Sequence, residues 1–163
     1  RTEGTFYLGS GVTSVAFVTK LSSDGSSVIY SSLLGGSGYN EGGAIAVDQT
    51  GSAFVAIKTD SSNFPVTGDA IQATGRGFGY ETVVVRLSPT GSALLFGTYV
   101  GGSGDNEPSS IAVDQNGNVI VTGQTGSKDF PLKHPIQGAP FGVPGFPLCP
   151  FVFKIALNAD SRS

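Results

Sequence analysis

Apolar residues fall in short runs separated by turn signals, and the runs lack the spacing of an amphipathic helix. In the stretch 44–101 these runs are 44–48, 53–59, 82–87 and 94–100. They are rich in Val, whose branched side chain favours strands. Asp48-Gln49-Thr50-Gly51 and Ser88-Pro89-Thr90-Gly91 have the residue types of tight turns. The pattern predicts an antiparallel four-stranded meander, in which 53–59 alternates enough to form a half-buried strand.

The same pattern recurs at an offset of 66 residues. When 20–65 is aligned with 86–131, 21 of 46 pairs are identical. The shared elements include Gly-Gly-Ser-Gly-x-Asn-Glu, Ile-Ala-Val-Asp-Gln and Phe-Pro. A third copy begins at 151–155, where Lys154 takes the place of Lys20 and Arg86. Residues 4–9 are similar to 117–121, so we expect the chain to begin and end inside a repeat.

A repeated four-stranded meander is typical of a β-propeller blade. The predicted strands, in order from the inner to the outer strand of each blade, are 5–9, 15–21, 28–34, 44–48, 53–59, 82–87, 94–100, 110–114, 118–123 and 151–156. They divide the chain into a partial blade 1–35, a complete blade 44–101 and a partial blade 110–163, the last with a Pro-rich loop 124–150. Because a closed propeller has about four to eight blades, we expect an incomplete ring with open end strands that pair with further repeats or other subunits.

The aligned segments also resemble a known family. "FVTKLSSDGS…LLGGSGYNEGGAIAVDQTGSAFV" and "VVVRLSPTGS…YVGGSGDNEPSSIAVDQNGNVIVTGQTGSKDFP" are similar to the SBBP β-propeller repeats of bacterial surface and secreted proteins. The resemblance implies a propeller blade and an extracytoplasmic setting, and it implies no catalytic residue. Tyr39 and Asp105 differ at one shared position, which argues against a common metal role there.

Composition narrows the classes of partner. Charged residues make up 13% of the chain, and the net charge is -3 with nine scattered Lys and Arg. Without a basic stripe, nucleic acid is a poor partner. No apolar run reaches the length of about 18 residues that a transmembrane helix needs. The partners we expect are proteins or further copies of the same repeat, and carbohydrate is the other class considered.

The acidic residues have a structural and a metal-binding interpretation. Asp48 and Asp114 precede Gly51 and Gly117, which predicts Asp turns whose glycines take positive φ. Asp105 and Glu107 place oxygen ligands close together, as a weak Ca²⁺ site would. Their spacing differs from that of an Asp-x-Asp-x-Asp-Gly calcium loop, so we expect no resident metal or cofactor.

Catalytic signals are weak, and we expect no enzyme activity. His134 lies in a Pro-rich loop with no partner Ser marked by a nucleophile motif. Cys149 is flanked by Leu148 and Pro150 with no nearby cation, which favours a structural thiol. The acids recur with the repeat, whereas a single catalytic centre needs one copy.

The long loops are the main candidates for binding. The aromatic residues of loops 60–81 and 124–150 are Phe64, Phe78, Tyr80, Phe130, Phe141 and Phe146. They could dock a protein or a sugar, or they could cover the outer edge of a blade. The leading hypothesis is a non-catalytic scaffold, adhesion or assembly protein of the bacterial surface or secreted space. The alternatives are a carbohydrate-binding propeller module and a fragment of a propeller-type hydrolase or lyase.

Overall fold

The computed structural model describes residues 13–77, 79–138 and 148–157, together with the backbone of 3–5. Within these residues there are ten strands: β1 (Glu3–Thr5), β2 (Ala16–Leu21), β3 (Val28–Leu34), β4 (Asn40–Val47), β5 (Ala53–Thr59), β6 (Glu81–Leu87), β7 (Leu94–Val100), β8 (Asn106–Val113), β9 (Val119–Thr125) and β10 (Cys149–Ile155). The described part of the chain contains no helix that could span a membrane.

The strands form three sheets. The N-sheet has the order β1-β3-β2, the middle sheet β4-β5-β6-β7 and the C-sheet β10-β9-β8. Neighbouring strands within each sheet pair antiparallel, except that β1 pairs with β3 in parallel. None of the sheets built from the described residues closes into a barrel. The predicted all-β, propeller-like arrangement is therefore confirmed, with the middle sheet as its complete four-stranded unit.

The middle sheet lies between the other two. One of its faces packs through Val55, Ile57, Val83 and Val85 against Ala16, Val18, Tyr30 and Leu34 of the N-sheet. Its other face packs through Phe54, Ala56, Val84 and Phe96 against Ile111, Val119, Val121 and Phe151 of the C-sheet. Because both faces are covered, β5 is buried along nearly its whole length. The prediction of a half-buried strand at 53–59 was wrong for this reason.

Two strands begin earlier than the hydrophobic pattern predicts. The prediction placed them at 44–48 and 110–114, but β4 and β8 start at Asn40 and Asn106. Each contains a β-bulge, between Gly42 and Ala44 in β4 and at the corresponding position in β8. An extra residue shifts the alternation of side chains between the two faces, so the first half of each strand is hidden from a search for period two.

The first strand was assigned to the wrong place in its blade. The prediction made 5–9 the innermost strand, next to β2, but the structure places β1 on the far side of β3. Glu3 lies opposite Ser31, and Thr5 lies opposite Leu33. At the repeat offset, β1 corresponds to 69–71 in the loop before β6, not to β9. Most of the predicted segment 5–9 lies outside the described residues.

The loop 60–81 runs along the outer edge of its blade in the same way. The N–H of Thr67 donates to the carbonyl of Gly97 (3.1 Å), and the N–H of Tyr99 donates to the carbonyl of Gln72 (3.0 Å). These bonds satisfy backbone groups on the free side of β7, the outermost strand of the middle sheet. In its described part, the loop therefore covers a strand edge that would otherwise be open to pairing.

Equivalent positions differ sharply in exposure between the N-sheet and the middle sheet. Leu87 is fully buried, whereas Leu21, its counterpart in the preceding repeat, is 53% exposed. Val83 is fully buried, whereas Phe17 is 71% exposed. The sequence is similar at these positions, so the difference comes from the neighbours. The middle sheet has a sheet on each side, and among the described residues the N-sheet has one on only one side.

This difference predicts unequal costs for the same substitution. Leu87→Ala should lower the free energy of unfolding by about 2–5 kcal/mol, the usual cost of a cavity at a buried leucine. Leu21→Ala should lower it by less than about 1 kcal/mol, since an exposed side chain loses little burial. Urea titration followed by circular dichroism measures both. Equal costs would mean that the outer face of the N-sheet is covered in solution.

Candidate interaction site

A buried asparagine organises the glycine-rich loop of each repeat. Asn40 Oδ1 accepts hydrogen bonds from Thr59 Oγ1 (2.8 Å) and Ser61 Oγ (3.0 Å). Its Nδ2 donates to the carbonyls of Gly38 (2.9 Å) and Ser14 (2.9 Å). The amide thus ties together the start of β4, the end of β5 and the segment before β2. Buried polar groups need such complete pairing to avoid a desolvation penalty.

Asn106 repeats this arrangement between the middle sheet and the C-sheet. Its Oδ1 accepts from Thr125 Oγ1 (2.7 Å) and Ser127 Oγ (2.9 Å), and its Nδ2 donates to the carbonyl of Gly104 (2.5 Å). Glu81 Oε2 is a further acceptor at 3.4 Å. The shared Asn, Thr and Ser positions of the repeat therefore form one polar cluster at the end of each inner hairpin.

The glycines of this loop are required by close packing. A Cβ on Gly36 would lie 2.5 Å from the Cβ of Ser61, and one on Gly102 would lie 2.7 Å from the Cβ of Ser127. These distances are far shorter than van der Waals contact, so only glycine fits between the Asn cluster and the β5 or β9 end. The Gly-Gly-Ser-Gly segment is therefore a closely packed turn.

The turn aspartates bond to their own hairpins. Asp48 Oδ1 accepts from the backbone N–H of Thr50 (2.9 Å) and of Ser52 (3.0 Å). Asp114 Oδ1 accepts equivalently from Asn116 (2.9 Å) and Asn118 (2.9 Å). The following glycines, Gly51 and Gly117, have φ values of 84° and 76°, a region that favours glycine.

Each turn aspartate also holds a cation two strands away. Arg86 Nη2 lies 2.9 Å from Asp48 Oδ2, and Lys154 Nζ lies 2.8 Å from Asp114 Oδ2. In register, Arg86 is opposite Phe54 of β5, and Lys154 is opposite Ile120 of β9. The cation therefore crosses the second strand of its sheet to reach the aspartate that ends the first strand.

These bonds stabilise the charged form of the aspartates. Burial of Asp48 opposes ionisation, but the hydrogen bonds from Thr50 and Ser52 and the charge of Arg86 together lower its pKa. For Asp114 the hydrogen bond from Lys154 is the largest cause, and it holds the pKa well below the usual range for an aspartate. The turn carboxylates are thus anions at neutral pH.

A second charge contact joins the middle sheet to the C-sheet. Lys58 Nζ lies 2.6 Å from Glu107 Oε1 and 4.1 Å from the centre of the Tyr80 ring. Tyr80 in turn meets the edge of Tyr39 at 5.6 Å between ring centres. The hydrogen bond between Lys58 and Glu107 raises the pKa of Lys58 and lowers the pKa of Glu107. The pair therefore stays charged over a wide pH range.

The corresponding place beside the N-sheet is open. We define the β2 edge surface as the unpaired edge of β2 together with Lys20, Glu41, Ile45 and Val47. Ile45 is 55% exposed, whereas Ile111, at the same position in β8, is 8% exposed. A groove of about 420 Å³ runs between 14–17 and 39–42 at one end of this surface. In the next repeat, β8 packs against β4 and β5, the inner hairpin of the preceding sheet. On its N-sheet side β4 contacts β2, and the described residues place no inner hairpin there.

Two of the loop aromatics are part of the core. Phe64 is 3% exposed and Phe130 is 8% exposed. The backbone N–H of Phe64 bonds to the hydroxyl of Tyr99 (2.8 Å), and Phe130 stacks on Phe151 at 4.8 Å. Of the two interpretations of the loop aromatics, partner binding and packing, these two residues follow the second, because each is buried at a blade interface. Tyr80 is half-buried beneath Lys58, and the predicted binding residues Phe78, Phe141 and Phe146 lie outside the described residues.

The remaining candidates are placed apart from one another. Asp105 Oδ1 accepts from the N–H of Tyr80 (2.9 Å), while Glu107 is held by Lys58. In the described ranges, no group of three or more His, Cys, Asp or Glu is arranged to hold a metal ion. His134 is exposed in the loop after β9 with a φ of 50°. Cys149 is buried at the start of β10.

Sequence reasoning missed the partners of the recurring charges. The recurrence of Lys20, Arg86 and Lys154 at one repeat position was visible, but their pairing with the turn aspartates depends on a contact across an intervening strand. The Asn40 and Asn106 clusters could have been found, since both asparagines and their Thr and Ser partners are identical in the two repeats. Lys58 had no such signal, because Gln124 replaces it in the next repeat.

Comparison with known families gives an independent result. Residues 95–131 match the model of the SBBP beta-propeller repeat, which confirms the resemblance seen in the sequence. The match covers β7 from its second residue, β8, β9 and the segment up to Pro131. The internal repeat places 29–65 in register with it. A search of curated proteins finds no match to the chain.

The packed glycine loop predicts a strong effect of a single methyl group. Gly36→Ala should lower the free energy of unfolding by about 1–3 kcal/mol, because the added Cβ overlaps Ser61 and forces the loop apart. Gly68→Ala is the matched control, since a Cβ there meets nothing within 4 Å. Urea denaturation of both variants measures the difference. Equal stabilities would contradict the packing described for the loop.

The hydrogen bonds of Asp48 in its turn predict that replacing it lowers stability in a pH-dependent way. Asp48→Ala should lower the free energy of unfolding by about 0.5–2 kcal/mol at neutral pH, as for other side chains that cap backbone N–H groups. Because the folded pKa of Asp48 is lowered, its contribution is present above the unfolded pKa of about 3.9. It should fade as the pH drops through the folded value. Gln49 is an exposed neighbour of Asp48. Gln49→Ala is the control and should leave the free energy of unfolding unchanged at every pH.

Proposed function

We propose that this chain is a non-catalytic interaction module that works by taking up strands of further propeller repeats, in a scaffolding or assembly role. The match to a beta-propeller repeat supports the coarser assignment, a repeat and interaction module. The observation that carries the proposal is the difference between Ile45 and Ile111. Identical residues at one repeat position are covered where a neighbouring hairpin is present and exposed where the described part of the chain supplies none.

The backbone of the edge strands supports the same role. In the described sheets, β2 and β10 each have a neighbour on one side only. An unpaired strand edge offers donors and acceptors in a row to another strand. Apolar side chains that include Phe17, Ile45, Val47 and Val152 are exposed on the adjoining faces. Exposed apolar surface beside an open edge is typical of a protein interface.

The described acids favour a non-catalytic role because their carboxylates are already engaged. Asp48 and Asp114 hold turns and cations, and Glu107 holds Lys58. Glu81 accepts from the backbone N–H of Arg76 (2.7 Å) and Gly77 (3.0 Å). Hydrolysis of a glycosidic bond needs two carboxylates facing a shared substrate, whereas each of these faces donors of its own blade or of the adjacent one.

The wider setting follows from the family resemblance. SBBP repeats resemble this chain and occur in bacterial surface and secreted proteins, so the proposal includes an extracytoplasmic location. A module of this kind would contribute blades to a larger propeller or join subunits through its end strands. Its partners would be proteins that carry the same repeat.

Sedimentation of the chain tests the proposal. At micromolar concentration we expect self-association, because the open edges and apolar faces are stabilised by strand pairing. Ile45→Asp should reduce this association, since it places a charge on the β2 edge surface. Ile136→Asp is the matched control, because Ile136 is fully exposed in the loop after β9. A stable monomer that unfolds cooperatively, with no effect of Ile45→Asp, would overturn the proposal.

A further inference from the structure

One charge contact recurs within the middle sheet and the C-sheet, and a second joins these two sheets. Each has a counterpart on the β2 edge surface that lacks the equivalent partner among the described residues. From this we infer that the surface binds a β-hairpin with a carboxylate in its turn and a cation near the end of its second strand. The carboxylate would meet Lys20, and the cation would meet Glu41. This inference rests on the proposed function and specifies the partner that the function requires.

Lys20 is the first such residue. It occupies on β2 the repeat position that Arg86 occupies on β6 and Lys154 occupies on β10. The latter two reach turn aspartates across the second strand of their own sheets. Lys20 instead donates to the carbonyl of Pro89, at 3.4 Å. A hairpin added to the edge of β2 in the same register would bring its turn carboxylate to Lys20.

Glu41 is the second such residue, because the described residues supply it with no cation from a preceding sheet. At the same position of the next repeat, Glu107 is bound by Lys58, which extends from β5 of the preceding sheet. Glu41 Oε2 accepts instead from the hydroxyl of its neighbour Tyr39 (2.9 Å), and Glu41 lies opposite Lys58 of its own hairpin. Glu41 and Tyr39 line the groove between β2 and β4. The groove is thus the place where the equivalent of Lys58 would enter.

The two charges also determine the direction of the hairpin. Lys20 lies near the end of β2, and Glu41 lies near the start of β4. These positions correspond to opposite ends of the incoming hairpin, its turn and its open end. A hairpin inserted in reverse would place its carboxylate beside Glu41 and its cation beside Lys20, and like charges would oppose it. The β4–β5 hairpin of this chain carries both required groups, Asp48 and Lys58.

An extended chain tests the inference directly. A copy of residues 35–66 is joined to Arg1 of the full chain, and the junction keeps the repeat in phase because residue 1 lies 66 positions before residue 67. Hydrogen exchange of the β2 amides reports docking, since pairing protects N–H groups at the strand edge. Attachment in one chain supplies a high effective concentration of the hairpin.

Protection of the β2 edge amides should rise at least tenfold in the extended chain. Lys20→Ala should then reduce this protection about fivefold, the effect of a partly exposed ion pair, while Lys20→Arg should retain it. Glu41→Lys should reduce protection similarly, and Lys58→Glu in the copy should restore it by reversing the pair. Lys133→Ala, in an exposed loop, is the control. In the chain without the copy, Lys20→Ala should leave β2 exchange unchanged.

The outcomes separate the two proposals. Protection that rises but is independent of Lys20 and Glu41 would overturn the inferred charge recognition and leave the interaction role intact. Protection that does not rise, in an extended chain that retains the circular dichroism of strands, would overturn both. Restoration by Lys58→Glu of the loss in Glu41→Lys is the result that a general effect on folding cannot produce.

Discussion

The structure depends on covering both faces of its middle sheet. Strands β5 and β6 expose almost no side chain, since the N-sheet packs on one face and the C-sheet on the other. Most of the apolar burial is therefore between sheets and not within one. In stacked repeats of this kind, stability is supplied largely by the interfaces between neighbours. A sheet with one neighbour keeps its strands but leaves half of its apolar positions in contact with water.

The inner hairpins supply the second constraint, which is the relative position of successive sheets. Asn40 and Asn106 each bond within their own hairpin and also to the segment that leads into an adjacent sheet, through Ser14 in one case and Tyr80 in the other. Because these amides are buried, a shift of one sheet against the next would leave them unpaired at a cost of roughly 1–3 kcal/mol each. The polar cluster therefore sets register, while the apolar faces supply most of the stabilisation.

The sequence predicted the fold well where the physics is local. Short apolar runs, turn residues such as Asp48 and Gly51, and the repeat itself lead to the middle sheet. The errors arose where contacts are not local. The first strand was misplaced because residues 4–9 are similar to 117–121, whereas the repeat offset of 66 residues matches β1 with 69–71. The start of β4 was missed because its bulge breaks the alternation. For Phe64 the sequence left binding and packing open, because a loop aromatic at a blade interface has the same local pattern as an exposed one.

Residues that differ between the repeats make each interface distinct. Identical repeats could stack in any order, since every face would fit every other. Lys58 binds Glu107 of the C-sheet, whereas Gln124, at the equivalent position, carries a neutral amide that donates to Glu107 of its own sheet (3.1 Å). Glu81 is buried beside Asn106, and burial raises its pKa against the opposing hydrogen bonds from Arg76 and Gly77; Val15 stands at that position in the preceding repeat. One interface between sheets contains a charged pair, and another contains an apolar residue at the corresponding position. A sheet packed against the wrong neighbour would therefore bury a charge without its partner, which is unfavourable. The shared residues thus build the blade, and the variable ones determine which blade lies beside it.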